Sequence, residues 1–342
     1  MEITTVGLDL AKEVFQVHGV DMKGRVVLRR KLRRSQVLSF FAQLPACLVG
    51  MEACGGAHYW ARKLRETGHE VRLMPPQFVK AYVKTNKHDA ADAEGICEAV
   101  QRPSMRFVPV KTPDQQAVLA IHRVRDGFVK ARTGVVNQIR GLLAEFGVVL
   151  PQGMAALTKV CAQFDQRDDL PGCFKGLIEG LLAHYRELEQ RVEAVEEELL
   201  RWHKTSENSL RLMAIPGVGL ITATAITASV GDARQFEDGR QMAAWLGLVP
   251  RQHSTGGKPK LLGISKRGDT YLRRLLIHGA RAVLRAAVHR PNAASLWHVR
   301  LLQRRNPNVA AVALANKNAR TIWALLAHQS AYDPMHRAAM AA

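Results

Sequence analysis

The stretch Ile3-Thr4-Thr5-Val6-Gly7-Leu8-Asp9 decides the fold. It is a β-rich run closed by a carboxylate. Two more extended runs follow. Val14–Val20 alternates apolar and polar residues, and Arg25–Leu32 comes after the turn signal Asp21-Met22-Lys23-Gly24. Ser35, a good N-cap, opens a helix-like stretch to Leu44. Leu48–Met51 reads as a short apolar strand ending at Glu52, Gly55-Gly56 punctuates the chain, and Ala57–Glu66 has helical spacing. Val71–Met74 is another strand, closed by Pro75-Pro76, and Asp89–Gln101 is helical. Three consecutive strands, then strands separated by helices, predict one α/β sheet with an antiparallel β1–β3 part.

The carboxylates fall at telling places in this pattern. Asp9 ends the first strand and Glu52 the fourth. Parallel strand ends on one edge of a sheet open onto a common crevice, which brings the two acids together. Asp89 and Asp92 are three apart on a helix and so share a face. Four acids in one place repel each other unless a divalent cation sits among them. Hard oxygen donors suit Mg²⁺ or Mn²⁺. Two such ions about 3.5–4 Å apart stabilise the attacking and leaving oxygens of a phosphodiester. Singly, each acid reads more readily as a cap or a surface charge; their order along β-β-β-α-β is the specific signal.

The rest of the chain is helical in pattern. Pro113–Phe146 reads as a long basic helix, followed by a looser stretch from Leu150 to Gly176. Ile178, Leu181, Tyr185, Leu188, Val192, Val195, Leu199 and Trp202 then alternate steps of three and four, a heptad seam. Two readings fit it: a coiled coil that pairs subunits, or a helical hairpin packed within one chain. Further helices are expected over Leu220–Val230, Gln235–Leu246, Thr270–His289 and Val309–His328.

Two loops carry candidate nucleic-acid contacts. Ile215-Pro216-Gly217-Val218-Gly219 sits between helical stretches, where Gly217 and Gly219 can present backbone N–H groups to a phosphate. An ordinary helical turn is the alternative. The second loop, Pro250–Asp269, holds Ser254 and Thr255 ahead of Gly256 and Gly257, with Arg251, His253, Lys258, Lys260, Lys266 and Arg267 around them. From spacing alone it is either a nucleophile loop with a cationic clamp or a basic phosphate-binding loop.

Charge narrows the class of partner. The 342 residues carry a formal net charge of +19, an excess that a polyanion relieves, nucleic acid first. Arg29, Arg30, Arg33, Arg34, Lys84, Lys87, Arg123, Arg125, Arg273, Arg274, Arg304 and Arg305 read as a surface that tracks such a partner. No apolar run is long enough for a membrane span and no secretory signal is visible, so a cytoplasmic, nucleoid-associated protein is expected. The five cysteines (Cys47, Cys54, Cys97, Cys161 and Cys173) contain no Cys-x-x-Cys and read as buried free thiols in a reducing compartment.

Taken in order, Gly-Leu-Asp-Leu-Ala-Lys, Met-Glu-Ala-Cys-Gly, Asp-Ala-Ala-Asp-Ala, Ile-Pro-Gly-Val-Gly and Gly-Leu-Val-Pro…Ser-Thr-Gly-Gly-Lys…Ser-Lys-Arg-Gly resemble the DEDD transposases of bacterial insertion sequences, the group that includes the Piv-type DNA invertases. The resemblance spans nearly the whole chain. It implies a RuvC-like, RNase H-type domain over 1–150, a linker and coiled-coil helix over 151–208, a mainly helical transposase domain over 209–330, and a tail over 331–342. It also implies a composite mechanism in which Asp9, Glu52, Asp89 and Asp92 hold Mg²⁺ and a serine forms a covalent phosphoserine with DNA. The family pattern often sets that serine directly before glycine, where this chain has Thr255. Ser254, one residue earlier, is preferred because a primary hydroxyl attacks a crowded phosphorus more easily, with Thr255 the alternative. A structured non-coding RNA, the bridge RNA, that pairs with donor and target DNA, and assembly as a dimer or tetramer, are likewise implied. Two other classes stay in play: a metal-only resolvase-type nuclease with water as nucleophile, and a non-catalytic nucleic-acid scaffold.

Overall fold

A computed structural model describes residues 2–83, 88–151, 170–289 and 296–334. Lys84, Lys87, Cys161 and most of the 331–342 tail lie outside the described residues. The chain divides into two compact units, Met1–Asp114 and Gln115–Ala342.

The first unit is built on one five-stranded sheet in the order β3-β2-β1-β4-β5. Its strands are β1 (Thr5–Asp9), β2 (Val14–Val20), β3 (Val26–Arg33), β4 (Leu48–Glu52) and β5 (Glu70–Met74). β1, β2 and β3 run antiparallel, as expected, while β1, β4 and β5 run parallel. β1 is the central strand, and its Val6 and Leu8 are fully buried. One face packs Leu8, Phe15, Val49 and Met51 beneath α1 (Val37–Ala42) and α2 (Ala57–Glu66), through Phe41, Trp60 and Leu64. The other face carries α4 (Asp89–Val100), which packs on β1, β2 and β4. A short α3 (Pro76–Val79) follows β5.

Ser35 does not cap α1. The backbone N–H of Arg33 donates to Gln36 Oε1 at 2.9 Å, which closes a tight turn over Arg34–Gln36 before the helix starts.

The second unit is mainly helical: α5 (Pro113–Glu145, starting at the unit boundary), α6 (Gly172–Thr205), α7 (Glu207–Met213), α8 (Leu220–Val230), α9 (Gly239–Trp245), α10 (Thr270–His289), α11 (Leu296–Arg304) and α12 (Pro307–Ala327). The heptad seam lies on α6, where Ile178, Leu182, Tyr185 and Leu188 meet Val135, Val136, Ile139 and Leu143 of α5. A helical hairpin within one chain therefore fills this part of the seam. Leu182, not Leu181, is buried, because a straight helix drifts away from a strict seven-residue repeat. α5, read from the sequence as the end of the first domain, thus packs with the second unit.

A second core joins α8, α10 and α12 through small and branched residues such as Ala225, Ile226, Leu276, Ala280, Ala315 and Ile322. The helix expected over Gln235–Leu246 starts only at Gly239. Asp238 caps it by accepting from Gln241 N at 2.7 Å, and that cap fixes the boundary. α11 was not foreseen. Its Trp297, Leu301 and Leu302 rest on this core.

The largest departure is the Gly- and Lys-rich loop of 250–269. It contains a β-hairpin of β6 (Pro250–Gln252) and β7 (Leu261–Ile264). No helix among the described residues is long and apolar enough to cross a membrane.

Candidate active site

The acids are placed by two glycines. Side chains alternate along a strand, so Gly7 and Asp9 face one side of the sheet, as do Gly50 and Glu52. A Cβ on Gly7 would lie 2.1 Å from the Ala93 carbonyl oxygen and 2.5 Å from Cys97 N. A Cβ on Gly50 would lie 2.7 Å from Val100 Cβ. α4 therefore lies directly on the sheet backbone, with its first turn over the strand ends. That turn carries Asp89 and Asp92, and His88 caps it by accepting from Ala90 N at 3.2 Å. Acids in the first turn also suit the positive end of the helix.

The result is a cluster. One carboxylate oxygen each from Asp9, Asp89 and Asp92 lies within 4.8 Å of the others. In an octahedral Mg²⁺ shell with bond lengths of about 2.0–2.1 Å, trans oxygens are about 4.2 Å apart and cis ones about 2.9 Å, so the three carboxylates draw closer to share one ion. Hard oxygen donors at this spacing fit a divalent cation. Glu52 is not part of that set. Continuing the parallel register one step past Leu8↔Met51 sets it beside Asp9. The Cys54 thiol, just past β4, is pushed up by desolvation first and then by the negative charge of Glu52 and Asp9. Three of the four expected acids thus come together, with the fourth at the adjacent strand end. The sequence reading missed Gly7 and Gly50, although the Gly-x-Asp and Gly-x-Glu spacing carries the signal.

In the second unit, Ser254 and Thr255 sit at the exposed tip of the hairpin. Gly256 (φ 56°) and Gly257 (φ 75°) are both left-handed, and Lys258 N donates to Thr255 O at 3.1 Å. This is a type I′ turn, so the glycines serve the hairpin itself. Gln252 Nε2 donates to Ser254 Oγ at 2.8 Å. That bond leaves the serine proton unused and supplies a donor to an oxygen that loses it. Arg251, His253, Lys258 and Lys260 are exposed along the hairpin, and Lys266 and Arg267 follow it, also exposed.

Arg273 holds the hairpin's base. It is only 7% exposed, so it is not the tracking surface expected of it. Its guanidinium donates to Leu246 O (3.2 Å), Arg267 O (2.8 Å) and Thr270 Oγ1 (3.1 Å), the segments that flank the hairpin. A buried cation is tolerated only when satisfied in this way. Two other expected surface cations are also committed: Arg274 pairs with Asp126, and Arg125 Nε donates to Glu196 at 2.6 Å.

The Ile-Pro-Gly-Val-Gly turn is partly structural. Gly217 (φ 87°) meets Gly279 of α10 so closely that a Cβ on Gly279 would lie 1.8 Å from Gly217 O. Asn318 Nδ2 donates to Pro216 O at 2.9 Å. Gly217 is therefore packed, whereas Gly219 is exposed at the start of α8. Of the thiols, Cys47 and Cys97 are buried, and burial pushes them up to about 11 and about 12. Cys54 and Cys173 are exposed, against expectation.

Comparison with known proteins places this arrangement. Residues 6–147 match a DEDD transposase family of the IS110 type, and residues 209–297 match the family described as "Transposase IS116/IS110/IS902 family". A "Probable family 20 transposase" of Pseudomonas aeruginosa is 56% identical over 337 residues, covering 98% of this chain and 100% of that protein. The chain belongs to the IS110/IS116/IS902 family of transposases. A "Transposase for insertion sequence element IS1111A" of Coxiella burnetii is 47% identical over 97% of this chain and 92% of its own length. The "Transposase for insertion sequence element IS1328" of Yersinia enterocolitica is 43% identical over 94% and 96%. As a transposase of this family, the protein is an enzyme that cuts and rejoins DNA, and its DEDD domain implies dependence on a divalent metal. The DEDD match includes α5, and so crosses the boundary between the two compact units.

Proposed function

We propose that this transposase cleaves and exchanges DNA strands by a Mg²⁺-dependent composite mechanism that uses Asp9, Glu52, Asp89 and Asp92 together with the hydroxyl of Ser254. The observation that carries the reading is the convergence of Asp9, Asp89 and Asp92 within 4.8 Å at the end of the central strand. The strand order 3-2-1-4-5 around an antiparallel β1–β3 supports an RNase H-type, RuvC-like first domain. Asp9, Asp89 and Asp92 would hold the ion, with Glu52 beside them, and a Mg²⁺ or Mn²⁺ bound there would supply charge neutralisation for the phosphodiester.

In the covalent step Ser254 Oγ attacks phosphorus and gives up its proton to solvent. The bond from phosphorus to one deoxyribose oxygen breaks, and that oxygen takes a proton. The Gln252 amide steadies Oγ in the resulting phosphoserine diester. Attack by a hydroxyl of the partner strand reverses the chemistry and joins the exchanged ends. Arg251, His253, Lys258, Lys260, Lys266 and Arg267 bind the phosphate backbone, with Gly219 offering N–H groups at the start of α8. The family resemblance and the +19 charge support guidance by a structured bridge RNA and work as a dimer or tetramer on donor and target duplexes.

A second reading has one observation behind it. The three clustered acids all belong to the first unit, which is enough for a metal-only nuclease with water as nucleophile. Strand cleavage titrated with Mg²⁺ tests the metal part of both readings. Wild type should cut in proportion to metal occupancy, and Asp9→Asn or Asp92→Asn should not cut. Cleavage by Asp9→Asn at the wild-type rate would remove the acid centre from the mechanism.

A further inference from the structure

A cavity of about 660 Å³ opens at the edge of the first unit's sheet. Its walls include Glu13, Arg33, Arg34, Ser35, Tyr59 and Trp60. It lies at the same end of the sheet as Asp9: β1 stops there, a four-residue turn follows, and Val14 of β2 pairs with Arg33 of β3.

The lining has a definite chemistry. Arg34 stacks its guanidinium over Trp60 at 5.1 Å, and Nη1 donates to Lys12 O at 3.4 Å, which fixes a flat cationic wall. Arg33 is exposed beside it. Neither arginine forms an ion pair among the described residues. Tyr59 is 42% exposed, although its neighbour Trp60 is buried. Glu13 supplies an acceptor at the rim. On the cavity's side of the sheet the edge strand presents Arg30, exposed and over the Phe40 ring at 5.2 Å, whereas Arg29 pairs with Glu94 of α4 on the other side. An aromatic face, a planar guanidinium and a cationic approach are what unpaired nucleic acid needs: bases stack on the rings while the backbone follows the charge.

We propose that this cavity is a subsite for one unpaired nucleotide of a single strand. The base stacks on Tyr59 and the Arg34 plane, the phosphate sits on Arg33, and Glu13 accepts from an exocyclic amine of the base. The subsite rests on the reading of the neighbouring acids as the strand-cutting centre, and it gives a strand at that end of the sheet a fixed hold. An unpaired nucleotide can come from opened DNA or from RNA.

The test is fluorescence anisotropy of the full chain, without divalent metal, against labelled 12-mers of deoxycytidine and of cytidine. Because nothing is cut under these conditions, the result is independent of whether the acids act as proposed. Tyr59→Ala and Arg33→Ala should each weaken binding roughly 10- to 100-fold, while Tyr59→Phe, which keeps the ring, should bind like wild type. Loss with the deoxy probe alone assigns DNA, loss with the ribo probe alone assigns RNA, and loss with both assigns the subsite to either strand. Unchanged binding of both probes by Tyr59→Ala and Arg33→Ala overturns the proposal. If Tyr59→Ala fails to fold, photocrosslinking of wild type to 5-iodo-deoxycytidine and 5-iodo-cytidine 12-mers replaces it. A crosslink on Tyr59 supports the subsite, and crosslinks confined to other segments overturn it.

Discussion

Replacing Gly7 with alanine should disable the acid centre without touching any acid. The added Cβ would lie 2.1 Å from Ala93 O, about 1.3 Å short of the 3.4 Å at which contacts become ordinary. The atoms in the way are α4 backbone, which no rotamer change can move. The helix must therefore withdraw from the sheet by on the order of 1 Å. Overpacking of this kind costs about 1–3 kcal/mol of stability. The functional loss should be larger. Asp89 and Asp92 ride on α4 while Asp9 stays on β1, and about 1 Å of misplacement at a reacting centre costs roughly 100-fold in rate. Gly50→Ala meets the Val100 side chain at 2.7 Å and is the milder companion. Metal-dependent strand cleavage and chemical denaturation, measured on both variants, check the argument. Gly7→Ala should remain folded and lose about two orders of magnitude in cleavage, with Gly50→Ala between it and wild type. A Gly7→Ala protein that cuts at the wild-type rate would refute the idea that close helix–sheet contact sets the acid geometry.

Two further predictions concern the second unit. His122 is buried, with Nε2 3.0 Å from Thr224 Oγ1 and Nδ1 3.0 Å from Tyr271 OH. Thr224 spends its own proton on Leu220 O, so His122 carries its proton on Nε2 and is neutral. Burial, helped by the Arg125 charge, lowers its pKa from 6.5 to about 4. The unfolded chain then takes the proton first as pH falls. The contribution is fully present above pH 6.5 and is lost toward pH 4, at most about 3 kcal/mol. Urea denaturation at pH 7 and pH 5 should show this loss in wild type, and His122→Gln should flatten it. In the hairpin, Gly256→Val forces a β-branched residue into the left-handed region, at about 1–2 kcal/mol. It should disrupt the tip and lower covalent product while the melting temperature stays put, whereas Gly256→Asn, which tolerates that region, should keep both.

Much of the first unit was legible because its signals are local. Asp9 and Glu52 each close an apolar strand, and the step of three between Asp89 and Asp92 fixes a shared helix face whatever the tertiary packing. The contribution of Gly7 was hidden because a glycine in a strand announces close approach without saying to what. Arg273 misled for a related reason. Among so many arginines its burial depends on carbonyls contributed by Leu246 and Arg267, which no spacing in the sequence reveals. The hairpin was legible in hindsight. Gly256-Gly257 is a type I′ signal, but its short flanking strands of basic and polar residues lack the alternation that marks a strand. The seam on α6 gave most of the apolar face, with Leu182 in place of Leu181, and left its occupant open, because a heptad pattern shows which face is buried and not which helix covers it.

The most direct test of the central claim is a search for a covalent protein–DNA adduct. Wild type, Asp9→Asn, Ser254→Ala and Thr255→Ala would be incubated with co-purifying RNA, donor and target DNA and Mg²⁺, then analysed under denaturing conditions. The composite mechanism predicts an adduct in wild type and Thr255→Ala, and none in Asp9→Asn or Ser254→Ala. Loss in Thr255→Ala, with Ser254→Ala intact, would move the nucleophile by one residue. Metal-dependent nicking without any adduct, unchanged by either hydroxyl substitution, would contradict the serine mechanism and leave the acids working with water alone.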